Sequence, residues 1–261
     1  MITVSQLRKD VSAMIREIKE HRSIRKYKST PIPEEVLERI LEAGIRASNT
    51  GNMQVYSLIV TTKPELKEKL LVCHMNQPMV VEAPVVITVC ADVRRFSQWC
   101  RQRDAEPEYG NFLWFINGVI DSVLASQNIA LQAEAEGLGI CYLGTTTYFA
   151  GKISEVLNIP DGVIPVTTLV AGYPDQTPPL TDRLPLRAVV HRERYTDYTP
   201  GDIDAIWAER EASAETQKLK EANDLENLAL IFTERRYKGA DNRFFSRDYF
   251  EEVKARGFFN Q

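Results

Sequence analysis

The sequence predicts an α+β fold in which several strands are covered by helices on both faces. Three observations carry this. Helical and extended periodicities alternate from the N-terminus to Gly172. Residues 84–91 are almost continuously apolar, as in a strand buried on both faces. Residues 111–137 are apolar over much of a helical circumference, which places that helix in the core or at a subunit interface.

Leu7, Val11, Met14, Ile15 and Ile18 recur at helical spacing and predict a first helix over residues 5–20. A basic run follows, from His21 to Lys28. Pro31-Ile32-Pro33-Glu34-Glu35 is a helix start, with proline in the first turn and carboxylates facing the positive end of the dipole. Val36, Leu37, Ile40 and Leu41 give that helix its buried face, and it ends near Gly44 or shortly after at Ser48-Asn49-Thr50-Gly51-Asn52, which is loop chemistry. Val55–Thr62 reads as a strand, and Lys63-Pro64-Glu65 opens a helix to Val72. Residues 92–110 are polar without a clear period and read as an excursion loop. The long helix over 111–137 ends at Gly137-Leu138-Gly139. A short strand over 140–143, a helix over 151–158 and a strand over 165–172 complete the pattern. Beyond Gly172, Pro174, Pro178, Pro179 and Pro185 mark an irregular connection. Residues 201–224 are charged and helical, and residues 232–261 mix arginines with aromatics. The expected division is a core over 1–200 and a C-terminal extension over 201–261 that packs on the core or on a partner.

The chain has 261 residues, 44% hydrophobic and 26% charged, enough to bury a sizeable core unaided. A net charge of −4 argues against non-specific nucleic-acid binding, which needs a basic surface, but leaves room for one phosphate pocket. Cys73, Cys90, Cys100 and Cys141 form no CxxC pair and stand at no ligand spacing from a histidine, so neither a disulfide framework nor a zinc site is expected. The N-terminus lacks the apolar core of a signal peptide, and no apolar run reaches bilayer length. The expectation is a soluble, cytoplasmic protein without metal.

No GxxxxGK[ST], HExxH, EF-hand or GxSxG motif is present. The glycines at 137, 139 and 144 lead from a helix into a strand, the reverse of a Rossmann turn. What remains is His21-Arg22-Ser23-Ile24-Arg25. It is either a solvated charged turn or a polyanion cradle, with arginine forks and a serine hydroxyl as donors. Ser48–Gln54 adds small and amide side chains at a strand entry. Tyr142-Leu143-Gly144-Thr145 adds a strand-end glycine turn, and Arg183 an isolated cation.

Together these segments resemble the FMN-dependent nitroreductases. His21-Arg22-Ser23-Ile24-Arg25-Lys26-Tyr27 looks like the family's opening R-[RS]-S-[IV]-R-x-[FY]. Ala47–Gln54 is similar to A-P-S-x-x-N-x-Q, with Val55-Tyr56 where the family has Pro-Trp. Gly137–Gly144 resembles G-L-G-x-x-[WY]-[IL]-G, and Pro165–Pro174 resembles the strand ending in G-[YW]-P. The long C-terminal extension and the HRSIR opening resemble the oxygen-insensitive NADPH nitroreductase and NADPH-flavin oxidoreductase subgroup.

The resemblance implies a nitroreductase-like α+β sandwich with a central, mainly antiparallel sheet, forming an intertwined homodimer with FMN at the interface. It implies His21, Arg22 and Ser23 at the phosphate and ribityl end. It puts Arg25 at the pyrimidine edge as electrostatic support. Thr50, Asn52 and Gln54 come from the other subunit. Gln77 sits at the isoalloxazine amide edge, Tyr142, Leu143, Gly144 and Thr145 lie along the ring, and Arg183 closes on the phosphate. Arg243 matches an arginine at the mouth of the site that meets substrate. The subgroup's lysine two residues before Arg183 is Thr181 here, so the clamp loses a charge unless Arg187 or Lys26 replaces it. Arg235, Arg236 and Lys238 are either a site for a nucleotide 2′-phosphate or a solvated helix face. The implied activity is hydride transfer from NADPH or NADH, through FMN, to nitroaromatics, quinones or flavins with ping-pong kinetics. No side-chain nucleophile or general acid is required. Alternatives are another redox reaction on the same fold (substrate dehydrogenation or dehalogenation) or a non-catalytic FMN-binding sensor.

Overall fold

The computed structural model describes residues 14–260, so most of the expected first helix lies outside the described residues; its end is α1 (Arg16–Glu20). The chain forms two compact units, one of residues up to 180 together with 247 onward, the other of 181–246. Where sequence alone suggests one boundary at residue 200, the structure has two, at Thr181 and Arg247.

The first unit is built on a four-stranded antiparallel sheet in the order β1 (Tyr56–Thr61), β2 (Val85–Asp92), β4 (Val163–Gly172), β3 (Gly139–Leu143). Alternation along each strand decides which helices cover which face. Val86, Val170, Cys141 and Leu143 point to one face. There they meet α3 (Pro64–Cys73), α4 (Met79–Glu82) and α7 (Ala150–Leu157) through Leu70, Val80 and Ile153. Val85, Ile87, Val89, Ile140, Leu169 and Ala171 point to the other face. There they meet α2 (Glu34–Ile45) and α6 (Phe112–Ala135) through Ile40, Ile129 and Ala133. Coverage on both sides is why every residue of β2 is buried. The β2–β4 register shifts between Val89 and Cys90, where Pro165 has no N–H to give the ladder.

Residues 92–110 are not the loop that the sequence suggests. They contain α5 (Arg94–Arg101), whose inner stripe includes the polar Ser97 beside Cys100. The helix is short and dominated by arginine and other polar residues, so it passes for loop chemistry despite its buried stripe. The C-terminal tail returns to this unit. Val253 and Phe258 pack with Val55, Ala91, Phe115 and Ile164, and the Tyr249 hydroxyl donates to the Pro165 carbonyl at 3.1 Å.

The long helix α6 is amphipathic in an unusual way. Phe115, Gly118, Ala125 and Ile129 are buried, yet Leu113, Ile116, Ile120, Val123 and Leu124 form an exposed apolar stripe at helical spacing. Apolar patches of this kind on one chain mark interaction surfaces.

The second unit holds α8 (Pro200–Ala212), α9 (Ala214–Asn223) and α10 (Leu228–Ile231), and the start of α11 (Gly239–Ala255). Residues 201–224 are helical as the pattern suggests, in two helices, because Ser213 is extended and caps α9 through the Thr216 N–H. His191, isolated in sequence, stacks on Tyr195 at 4.2 Å and accepts from the Thr196 N–H at 3.2 Å.

Candidate functional site

The basic run lies along the outer edge of β3. Ser23 forms a parallel bridge to Ile140, and the Ile24 N–H donates to the Ile140 carbonyl at 2.9 Å. Ile24 turns inward onto Gly139, which leaves Arg25 exposed. Gly139 is what lets the run sit there, because a Cβ on it would stand 2.4 Å from Ile24 Cγ1. The Tyr27 hydroxyl donates back to the Ile24 carbonyl at 2.5 Å and closes the segment.

His21 Nδ1 lies 2.6 Å from Glu134 Oε1 on α6, which orients the ring. Burial pushes the Glu134 carboxyl up, and the His21 hydrogen bond opposes that shift. Arg22 donates through Nη1 to the Glu20 carbonyl at 2.8 Å. Its Nε is buried without a partner, beside a cleft of about 240 Å3 that Glu134, Gly137, Gly139 and Gln176 also line. An unpaired buried guanidinium N–H is costly unless an anion meets it.

Because the segment runs parallel to β3, His21, Arg22 and Ser23 stand near its start. Arg25 is further along, close enough to Cys141 to lower its thiol against the rise that burial causes. From Ile140 to Gly144 the strand advances roughly 13 Å at about 3.3 Å per residue. At its end, Gly144 is exposed, its φ is ordinary, and a Cβ there would meet nothing within 4 Å. Neither backbone nor packing demands glycine at this position, so the clearance suits something outside the chain.

Thr145 is buried beside it, and Gln77 reaches the same place. Gln77 Nε2 donates to the His74 carbonyl at 3.1 Å and toward Thr145 Oγ1 at 3.5 Å. Met75 and Asn76 take left-handed φ values of 53° and 54° to turn Gln77 back. Tyr142 and Leu143 behave differently from a ring-contacting pair. The Tyr142 side chain packs on the α2/α6 face, its hydroxyl donating to Ser126 Oγ at 3.2 Å, and Leu143 is buried on the other face. Only their backbone reaches the strand end.

Thr50, Asn52 and Gln54 stand apart, at the entry to β1 on the opposite edge of the sheet. Three strand spacings of about 4.8 Å put the two edges roughly 14 Å apart. The loop is held by Asp121 of α6, which accepts from the Thr50 N–H at 2.9 Å, the Thr50 hydroxyl at 3.1 Å and the Val55 N–H at 3.3 Å. Arg95 adds bonds to the carbonyls of Gln54 and Tyr56. Gly51, Asn52 and Gln54 all have left-handed φ (57°, 56° and 52°), a concentration of strain seen at binding sites. Sequence reasoning missed Asp121, although a single carboxylate within the apolar stretch 112–133 was a usable signal.

Arg183 and Arg243 belong to the second unit and are exposed. Arg183 donates to its own local carbonyls, Thr181 at 3.1 Å and Asp182 at 2.9 Å. Arg187 donates to the Ala205 carbonyl at 3.1 Å. A separate cavity of about 900 Å3 lies elsewhere, between α5 and the C-terminal tail. Two of its arginines are already engaged: Arg94 with the Asp161 carbonyl, and Arg256 with Glu252 and the Ile159 carbonyl.

Comparison with known proteins places the chain in one family. The nitroreductase family model matches residues 18–173. The FMN reductase (NADPH) of Bacillus subtilis is 34% identical over 183 residues, covering 69% of this chain and 74% of that protein. The NADPH-flavin oxidoreductase of Vibrio harveyi is 32% identical over 191 residues, covering 73% and 78%. A crystal structure of a Bacteroides fragilis oxidoreductase superposes with a TM-score of 0.93 at 44% identity, covering 94% of this chain and all of that one.

Proposed function

The chain belongs to the nitroreductase family, and on that footing we propose that it is an NAD(P)H-dependent flavin oxidoreductase with FMN laid along β3. When bound, FMN supplies a ring that takes hydride from a nicotinamide and passes electrons to an acceptor. The chain's own residues bind and orient it. His21, Arg22 and Ser23 serve the phosphate and ribityl end. Arg25 offers a fixed positive charge to the pyrimidine edge. Gln77 and Thr145 meet the polar edge of the ring, and the backbone of residues 142–145 runs beside it. The observation that carries this reading is the alignment along one strand of a buried, partnerless Arg22 Nε and an unobstructed Gly144.

The working unit in this reading is a homodimer. Two features support that. Thr50, Asn52 and Gln54 sit at the far edge of the sheet from Gly144, so one ring reaches both sets only if a second copy brings the loop. The exposed apolar stripe of α6 offers the surface for it. The acceptors are nitroaromatics, quinones or flavins, which use the face the nicotinamide leaves, giving ping-pong kinetics.

Anaerobic titration of the FMN-loaded protein with NADPH tests the reading. The expected result is stoichiometric bleaching of the flavin absorbance, restored by a nitroaromatic or a quinone. Protein that takes up no FMN, or flavin that NADPH and NADH leave oxidised, overturns it. Gly144→Val separates binding from folding. Unfolding free energy is expected to change by less than about 0.5 kcal/mol, as for a surface substitution. The FMN Kd is expected to rise about tenfold or more as the side chain enters the cleared space. Unchanged FMN affinity would show that the clearance is not used.

A further inference from the structure

We propose that His74 is a positioning residue for this site, holding Thr145 and Gln77 as one unit and leaving the Thr145 hydroxyl proton free to donate outward to the bound flavin. The inference rests on the flavin reading above and deepens it.

His74 follows α3 and is fully buried. Its Nδ1 lies 2.9 Å from Thr145 Oγ1, and its carbonyl accepts from Gln77 Nε2. The backbone is fixed around it: the His74 N–H donates to the Leu70 and Leu71 carbonyls, and the Asn76 N–H to the Leu71 carbonyl at 2.9 Å. Burial holds the ring neutral at ordinary pH, with a pKa pushed down to about 4. A neutral ring carries one N–H, and its place follows from the partners. His74 Nε2 is buried with no partner. A proton there would be an unpaired buried donor, whereas a bare lone pair there is the cheaper deficit. The proton therefore sits on Nδ1 and is donated to Thr145 Oγ1.

That choice has a consequence at the site. Gln77 Nε2 approaches the same oxygen at 3.5 Å. With two donors converging on Oγ1, the threonine's own proton points away from both. Thr145 stands next to the open space at Gly144. The hydroxyl then presents a donor to acceptor atoms on the ring edge, and the Gln77 carboxamide is held in register with it. The opposite tautomer would take the threonine proton back into the core.

Two measurements test this. In 15N-labelled protein at neutral pH, the His74 ring is expected to show the Nδ1–H tautomer, with and without FMN. The Nε2–H tautomer or a charged ring overturns the proposal whatever the variants do. His74→Leu removes the donor, and His74→Asn returns an N–H near the Nδ1 position. His74→Leu is expected to raise the FMN Kd of the apoprotein about tenfold, read by flavin fluorescence quenching, and to shift the bound flavin's absorbance. His74→Asn is expected to bring the Kd back to within about threefold of wild type. If both variants lower the melting temperature alike but leave Kd and absorbance at wild-type values, the ring only fills space and the proposal falls. Wild-type protein that takes up no FMN overturns the flavin reading itself. Wild-type uptake with an insensitive His74→Leu overturns this inference alone.

Discussion

Gly139→Ala is expected to destabilise the protein by about 3 kcal/mol, the upper end for overpacking, and to abolish FMN uptake at micromolar cofactor. The new Cβ would lie 2.4 Å from Ile24 Cγ1 and 2.7 Å from Ile24 Cβ. The second of these atoms is bonded to the backbone, so no rotamer of Ile24 relieves the contact. The segment 21–27 must lift off β3, breaking the Ser23–Ile140 bridge that aligns the cations. At roughly 2–4 °C per kcal/mol for a chain of this size, the melting temperature falls about 10 °C. Adding Ile24→Ala should recover only part of the loss, because its Cβ remains in place. A Gly139→Ala protein with wild-type melting and wild-type FMN affinity would show that the cradle does not depend on this contact.

Acid should remove about 3 kcal/mol of stability between pH 6.5 and 4 through His74 alone. Its pKa falls from the ordinary 6.5 to about 4 because the ring is out of water. Within that window the unfolded chain binds a proton that the folded chain refuses, so stability falls as pH falls. Each pH unit of difference between the two states is worth about 1.36 kcal/mol. Below pH 4 both states are protonated and this loss stops. Glu134 acts with the opposite sign, since burial raises its carboxyl and the folded state then holds the proton more tightly. Urea unfolding of wild type and His74→Leu across pH 7 to 4 separates the two. The variant should lose the His74 component and keep the Glu134 one. Parallel pH profiles would mean that His74 is not buried as described.

Much of the fold was legible from periodicity. Residues 84–91 read as a doubly covered strand because no polar face interrupts them, and β2 is buried throughout. Helix α2 and strand β4 were marked by proline, glutamate and glycine at their ends. Helix α5 is the misreading: it is short, rich in arginine and polar residues, and buries Ser97 beside Cys100. The helical pattern over 201–224 is present, but the extended Ser213 divides it into two helices, a break set by one residue's dihedral angles rather than by hydrophobic period.

The site divides in the same way. The cation run and the glycine turn could be named from sequence, since arginine forks and a bare strand end are local chemistry. His74 could not, and Asp121 shows in sequence only as a lone carboxylate in an apolar stretch, without its partner. Each acts on residues far along the chain, Asp121 on Thr50 and His74 on Thr145. A buried polar group finds its partner only when distant elements are brought together, and no spacing rule encodes that meeting. The sequence by itself determined the α+β class, the family and the residue types of the proposed phosphate cradle. Tertiary structure alone decided that Gly139 seats the cradle, that the loop at Thr50 lies on the opposite edge from Gly144, and which proton His74 carries. Local propensity acts over a few residues, whereas burial and close contact belong to the packed chain.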